Sequence, residues 1–300
     1  NHHVYPKEYH QNLFLADWSE GRILRVEARS TAEPSSLKAE AFLSGRPMNV
    51  TDLDIGRDGS LYFSTGGRST SGGIYRVRWT GDVPASQSEL GEGIAQAIRQ
   101  PQMHSAWGRQ AVALLKRELG DQWDSQVAGV AYSPDNPARY RIRALDLMQL
   151  LGPVPSVELL VDLSRAPNEA LRGKTASMLA LHPNDETAMR RLRELLSDNS
   201  PVVQQAAVEG LIRADQACSA ESLIPLLISE NRELAFVAGR LLQRQASEVR
   251  AEVLERADSE KQLIRGALAS ILAEPSRDQA LALLPRLTQT AANYMSDQDF

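Results

Sequence analysis

Cysteine is almost absent from this chain of 300 residues: Cys218 stands alone. One thiol excludes an internal disulfide, a zinc site built on several cysteines and a Cys-x-x-Cys-His haem attachment within these residues; its expected role is that of a small buried hydrophobe. Long apolar runs are missing too, and no window approaches the roughly 18 uncharged apolar residues a membrane helix requires, so no membrane span is expected. Neither charge is in large surplus. Against 38 Asp and Glu there are 33 Lys and Arg, for a net charge of −5, which argues against nucleic acid and anionic lipid as partners. Catalytic signatures are equally scarce: no Gly-x-Ser-x-Gly elbow, His-Glu-x-x-His or Walker sequence occurs. The five histidines, His2, His3, His10, His104 and His182, include no i, i+4 pair of the kind a metal site would use. His104 is expected to pack at a junction between domains. The chain begins at Asn1 without a leader-like segment, and it is expected to be a piece of a longer protein.

What is present is unevenly distributed. Of the 16 aromatic residues 13 lie at or before Tyr140, and nine of the 19 glycines fall within residues 1–81. The early part therefore reads as short strands and glycine turns, the later part as Leu/Ala/Arg/Glu helices.

The early part repeats itself. Asn12-Leu-Phe-Leu-Ala-Asp17 followed by Gly21-Arg-Ile-Leu-Arg-Val26 returns 48 residues later as Leu61-Tyr-Phe-Ser64 followed by Gly72-Gly-Ile-Tyr-Arg-Val77. Ahead of the second copy, Val50–Ile55 alternates and breaks at Gly56-Arg-Asp-Gly59, where Asp58-Gly59 predicts a tight hairpin turn with positive φ at both residues. This spacing suits a propeller blade, whose repeats run ~40–50 residues. About two blades are predicted, too few to close a ring. Thr65–Gly73 reads as a long hairpin loop rather than a phosphate cradle, because a strand and not a helix follows it. Ser105–Leu119 is predicted as a helix capped by Ser105 and stopped by Gly120, and Tyr132–Ala138 as a loop.

From Tyr140 onward an apolar–small–apolar triplet at i, i+4, i+8 recurs: Tyr140/Ala144/Met148, Leu171/Thr175/Leu179, Val203/Ala207/Leu211, Leu234/Ala238/Leu242 and Leu263/Ala267/Ile271. The first members are 31, 32, 31 and 29 residues apart. Other amphipathic stretches alternate with them, so each unit reads as a helix pair, and the small middle residue lets neighbouring helices approach closely. The predicted class is α+β multidomain: a partial antiparallel β-propeller of about two blades over 1–81, a linker and junction helix over 82–137, and an all-α solenoid over 138–300.

Two resemblances follow. Asp198-Asn-Ser-Pro-Val-Val-Gln-Gln-Ala-Ala-Val-Glu-Gly-Leu-Ile212 resembles a HEAT repeat, a likeness that extends over roughly residues 138–290. Residues 12–81 resemble the closing blades of glucose/sorbosone-dehydrogenase-like quinoprotein propellers, through Leu-Phe-Leu-Ala-Asp-Trp18, Gly-Arg-Ile-Leu-Arg-Val26, Asp-Ile-Gly-Arg-Asp-Gly-Ser-Leu-Tyr62 and Gly-Gly-Ile-Tyr-Arg-Val77. That order of parts resembles large exported planctomycete-type bacterial proteins that often end in a haem c domain. The resemblance implies a longer parent, a periplasmic or cell-surface setting, and pyrroloquinoline quinone (PQQ) with Ca²⁺ in the parent propeller rather than in this chain.

Within that frame Asp52 and Arg68 are the candidate cofactor-binding residues. Asp52 holds the acidic position ahead of Gly-x-Asp-Gly, where a carboxylate could accept a sugar hydroxyl or hold a cation, and Arg68 sits in the glycine loop, where it could meet an anionic cofactor. The bland alternatives are a turn-capping carboxylate and a solvated loop arginine. Asp17 has no carboxylate counterpart in the second copy, which reads Ser64-Thr65-Gly66 where the first reads Ala16-Asp17-Trp18. No catalytic or metal-ligating residue is singled out. The function expected is an interaction or scaffold module that binds a protein partner or neighbouring domains, not catalytic by itself. The alternative is part of a quinone-dependent sugar or alcohol oxidoreductase that passes electrons to a haem c domain outside the chain.

Overall fold

A computed structural model describes residues 4–27, 38–67, 70–83 and 90–294. The chain divides into two compact units, Asn1–Trp123 and Asp124–Phe300.

The first unit is built on six strands in two antiparallel sheets. β1 (Asn12–Asp17), β2 (Arg22–Glu27) and β3 (Ala39–Ser44) form one; β4 (Val50–Ile55), β5 (Leu61–Gly67) and β6 (Thr70–Val77) form the other. Alternation turns Phe14, Ile23, Leu43, Val50, Leu53, Leu61 and Phe63 into a core shared by both sheets, as a half-buried pleat requires. The 48-residue repeat becomes physical here: Trp18 Nε1 donates to the Gly66 carbonyl at 3.0 Å, and these two residues occupy equivalent positions of the two copies.

The hairpin turns differ from the two-residue prediction. Only Gly59 takes positive φ, +76°, while Asp58 keeps an ordinary backbone. Its carboxylate instead accepts from the Ser60 amide at 3.0 Å, the Ser60 hydroxyl at 2.9 Å and the Tyr62 hydroxyl at 3.1 Å. Side-chain capping of a wider turn thus replaces the left-handed residue pair. The predicted loop Thr65–Gly73 is corrected as well. Strand pairing runs on to Gly67 opposite Thr70 through a bulge between Thr65 and Gly67, because the extra residue of a bulge bends a ladder without ending it.

Three helices follow: α1 (Gly93–Arg99), α2 (Ala106–Leu119) and α3 (Gln122–Tyr132). Ser105 accepts from Gly108 N and caps α2, and Gly120 ends it at φ +53°. Trp107 Nε1 donates to the Ile55 carbonyl at 2.9 Å and so ties α2 to the end of β4. His104, expected in a junction, is exposed. The turn before Ser105 buries Pro101 and Met103 instead. α3 carries no strong amphipathic signal; its buried residues Trp123, Val127 and Ala131 form a stripe only one residue wide.

The second unit contains five helix pairs: α4 (Ala138–Leu151) with α5 (Val157–Leu163), α6 (Glu169–Leu179) with α7 (Glu186–Glu194), α8 (Pro201–Arg213) with α9 (Ala220–Leu227), α10 (Arg232–Gln243) with α11 (Ser247–Glu255), and α12 (Glu260–Ala273) with α13 (Arg277–Tyr294). α4, α6, α8, α10 and α12 stack on one another as one layer. The triplet residues face inward: Ala144, Met148, Leu171, Thr175, Leu179, Val203, Ala207, Leu211, Leu234, Ala238 and Leu242 are all buried. Ser156, Asn168, Asp185, Ser219, Asn231 and Ser259 cap α5, α6, α7, α9, α10 and α12 by accepting from the backbone, which satisfies amides the helix itself leaves unpaired.

Candidate functional site

Polar side chains tie each repeat to the next. Arg172 on α6 grips Asp198 through two hydrogen bonds of 2.8 Å and also donates to the Ala166 and Pro167 carbonyls. Both side chains are largely buried, and the guanidinium holds the Asp198 carboxyl below the usual carboxylate range. Lys174 pairs with Asp146 at 2.7 Å, Gln245 Oε1 accepts from Cys218 N, and Lys261 pairs with Glu230 at 2.8 Å. Burial pushes the Cys218 thiol up to about 11, so the thiol is protonated and inert at neutral pH.

The two layers spend their exposed positions differently. On α5, α7, α9 and α11 solvent meets mainly charge, including Glu158, Glu186, Arg190, Glu221, Glu248 and Glu255, whereas the last helix of that layer, α13, exposes Leu281 and Leu284. The opposite layer exposes Val202, Phe236, Leu268 and Leu272. Phe236, on α10, is 69% exposed, although the phenyl ring is among the side chains that gain most from burial. It stands in a groove of about 390 Å³ between α10 and α12, walled by Ala235, Gly239, Leu268, Ala269 and Leu272. Arg232, Arg240 and Arg265 rim that groove against a single acid, Glu233. Arg265 is spoken for by the carbonyls of Leu227 and Ser229, and Arg240 reaches the Gln243 amide oxygen at 3.1 Å.

The residues singled out in the sequence lie in the other unit. Asp52 is on β4, opposite Ser64 and next to the bulge at Thr51. It is exposed, and its Oδ1 accepts from the Leu53 amide at 2.8 Å. Arg68 lies outside the described residues. Asp17 is engaged by Arg22 at 2.8 Å and by the Glu20 amide, contacts that hold its carboxyl below the usual range. Among the described residues no group of three His, Cys, Asp or Glu side chains could hold a metal ion.

The groove escaped the sequence reading because a triplet marks the buried stripe, whereas Phe236 lies off it. A signal was available: Phe236 is the one aromatic residue between Tyr140 and Tyr294.

Comparison with known families places the repeats. Residues 157–243 match HEAT repeats, and these residues run from α5 to the end of α10. The C-terminal region is thus a helical, solenoid-like array that contains HEAT repeats, within an α+β layout. No curated protein matches the chain as a relative.

Proposed function

We propose that the helical unit is a protein-interaction module that scaffolds a partner along the layer α4, α6, α8, α10 and α12. The observation that carries this reading is a difference between the layers: the stacked layer keeps Val202, Phe236, Leu268 and Leu272 exposed, while α5, α7, α9 and α11 expose mainly charge. Exposed apolar surface of this kind marks a binding face rather than a solvated one, and stacked repeats supply an extended surface for it. For the sheet part we propose the closing blades of a sugar-dehydrogenase-like propeller in an exported protein; the 48-residue repeat and the bond between equivalent positions Trp18 and Gly66 support it.

Cross-linking in the cells that make the protein tests the interaction reading. Val202→Asp with Leu268→Asp is expected to abolish the cross-linked partners while leaving the circular dichroism spectrum intact. Glu158→Lys with Glu248→Lys on the other layer is expected to retain them. Partners that survive the first pair of changes and vanish with the second would place the binding face on the other layer.

A further inference from the structure

We propose that the groove between α10 and α12 is a docking site for an acidic, amphipathic helical segment of a protein partner, with an apolar side chain of that segment seated beside Phe236 over Gly239. This names the partner class for the interaction reading above and rests on it.

Two independent features of the groove point to an occupant. The first is Gly239. Glycine inside a helix is less favourable than alanine, and at Gly210 and Gly266 packing accounts for it. A Cβ on Gly210 would lie 3.1 Å from Leu192 and 3.3 Å from the Ala176 carbonyl, and on Gly266 it would lie 3.3 Å from Leu254 and Val253, whereas on Gly173 it would meet Val202 at an ordinary 3.7 Å. On Gly239 it would meet nothing within 4 Å. Among the described residues no neighbour needs that space, yet it is kept open one helical turn from Phe236, in the wall of the groove. The second feature is charge. The chain carries −5 overall, but this groove presents Arg232, Arg240 and Arg265 against Glu233. Among the described residues Arg232 makes no hydrogen bond or ion pair, and Arg240 bonds only the neutral Gln243 amide.

An apolar trough between parallel ridges, rimmed by Arg232 and Arg240 with no ion pair among the described residues, matches the helix-in-groove mode of recognition, in which anchors at i, i+3/i+4 and i+7 enter the trough and flanking charges set specificity and association rate. Acidic flanks would meet Arg232 and Arg240 on the rim. A basic segment would meet the same arginines as like charges.

The test uses the full chain and three fluorescent peptides of about 15 residues: one with Phe and Leu at i, i+3/i+4 and i+7 and Glu or Asp elsewhere, a counterpart with Lys in place of the acids, and a scramble of the first. Anisotropy is expected to show saturable binding of the acidic peptide, at least about tenfold weaker binding of the other two, and affinity that falls with added salt. Phe236→Ala is expected to weaken the acidic peptide at least about tenfold, as loss of a central aromatic anchor does. Gly239→Met is expected to block it equally while melting no lower than the unaltered chain, since Met is the better helix former and its side chain fills the groove rather than the core. Arg232→Glu with Arg240→Glu is expected to invert the preference between acidic and basic peptides. Hydrogen exchange should slow over 232–243 and 265–272 in the complex.

Binding unaffected by Gly239→Met, equal binding of the basic peptide, or no saturable binding of the acidic one overturns the proposal. Protection confined to other helices of the same layer also overturns it but leaves the interaction reading standing, which fails only by the cross-linking result. A dimer that dissociates on Phe236→Glu would make the occupant a second copy of the chain, and saturable dodecanoate binding without peptide binding would make it an acyl chain; either result overturns the proposal.

Discussion

Helix glycines separate packing from propensity in this protein. A Cβ on Gly210 would lie 3.1–3.3 Å from the Leu192 methyls and the Ala176 carbonyl, and Leu192 is fully buried. Gly210→Ala is therefore expected to lower the melting temperature despite alanine's better propensity, whereas Gly239→Ala is expected to raise stability by up to about 1 kcal/mol; thermal denaturation of the two variants side by side checks both signs. The triplet residues give a larger contrast. Leu211 is fully buried in α8, so Leu211→Ala is expected to cost about 2–5 kcal/mol. Arg213, two residues on, is exposed and makes only a 3.3 Å bond to the Ser177 carbonyl; Arg213→Ala is expected to stay within about 0.5 kcal/mol in urea denaturation.

At the scale of elements, a largely buried, doubly bonded ion pair ties α6 to the segment leading into α8. Arg172 holds Asp198 through two bonds while pinning the Ala166 and Pro167 carbonyls. The pair lowers the folded pKa of Asp198. A carboxylate depressed in the folded state stabilises above its unfolded value and loses that contribution as pH falls through the folded one. Asp198→Asn is thus expected to cost about 1–3 kcal/mol at neutral pH, as loss of a charged hydrogen-bond partner in a largely buried pair does. The gap to the unaltered chain should close as the pH drops below about 4, the ordinary aspartate value. Urea titrations at neutral and acid pH measure it; a gap that stays constant would mean that the pair contributes nothing through its charge.

For the whole molecule, each unit has its own core, and in the helical one every pair packs chiefly against its neighbours along the stack. Residues 124–300 expressed alone are expected to give a strongly helical far-ultraviolet spectrum and one sigmoidal melt, because nearest-neighbour interfaces make such arrays cooperative. A featureless melt would show that the array depends on the preceding unit. The sheets lead to a different expectation. Quinone-dependent oxidation needs a base, a held cofactor and commonly a metal, all converging within hydrogen-bonding reach. Asp52 is exposed and occupied with its own strand's backbone, and Asp17 is paired with Arg22. The chain supplied with PQQ, Ca²⁺ and an artificial electron acceptor is therefore expected to oxidise glucose no faster than background. Turnover lost on Asp52→Asn would overturn this expectation and assign Asp52 to a site.

How much of this was written in the sequence depends on the range of the physics involved. Period and capping are local: triplets such as Val203/Ala207/Leu211 and caps such as Ser105 and Ser156 place helices and buried stripes because residues three and four apart share a face and a cap needs only its own turn. The 48-residue repeat is local in the same sense, and it located the strands that became β1, β2, β5 and β6. Tertiary structure decided what depends on neighbours distant in the chain. It set the bulge that carries the β5–β6 ladder to Gly67 and Thr70, the docking of Trp107 on Ile55, and the grip of Arg172 on Asp198, 26 residues away. It also decided the groove. Whether Phe236 and Gly239 face a neighbouring helix or open space depends on how far α12 stands from α10, a distance set by side chains on both helices and carried by no window of the sequence.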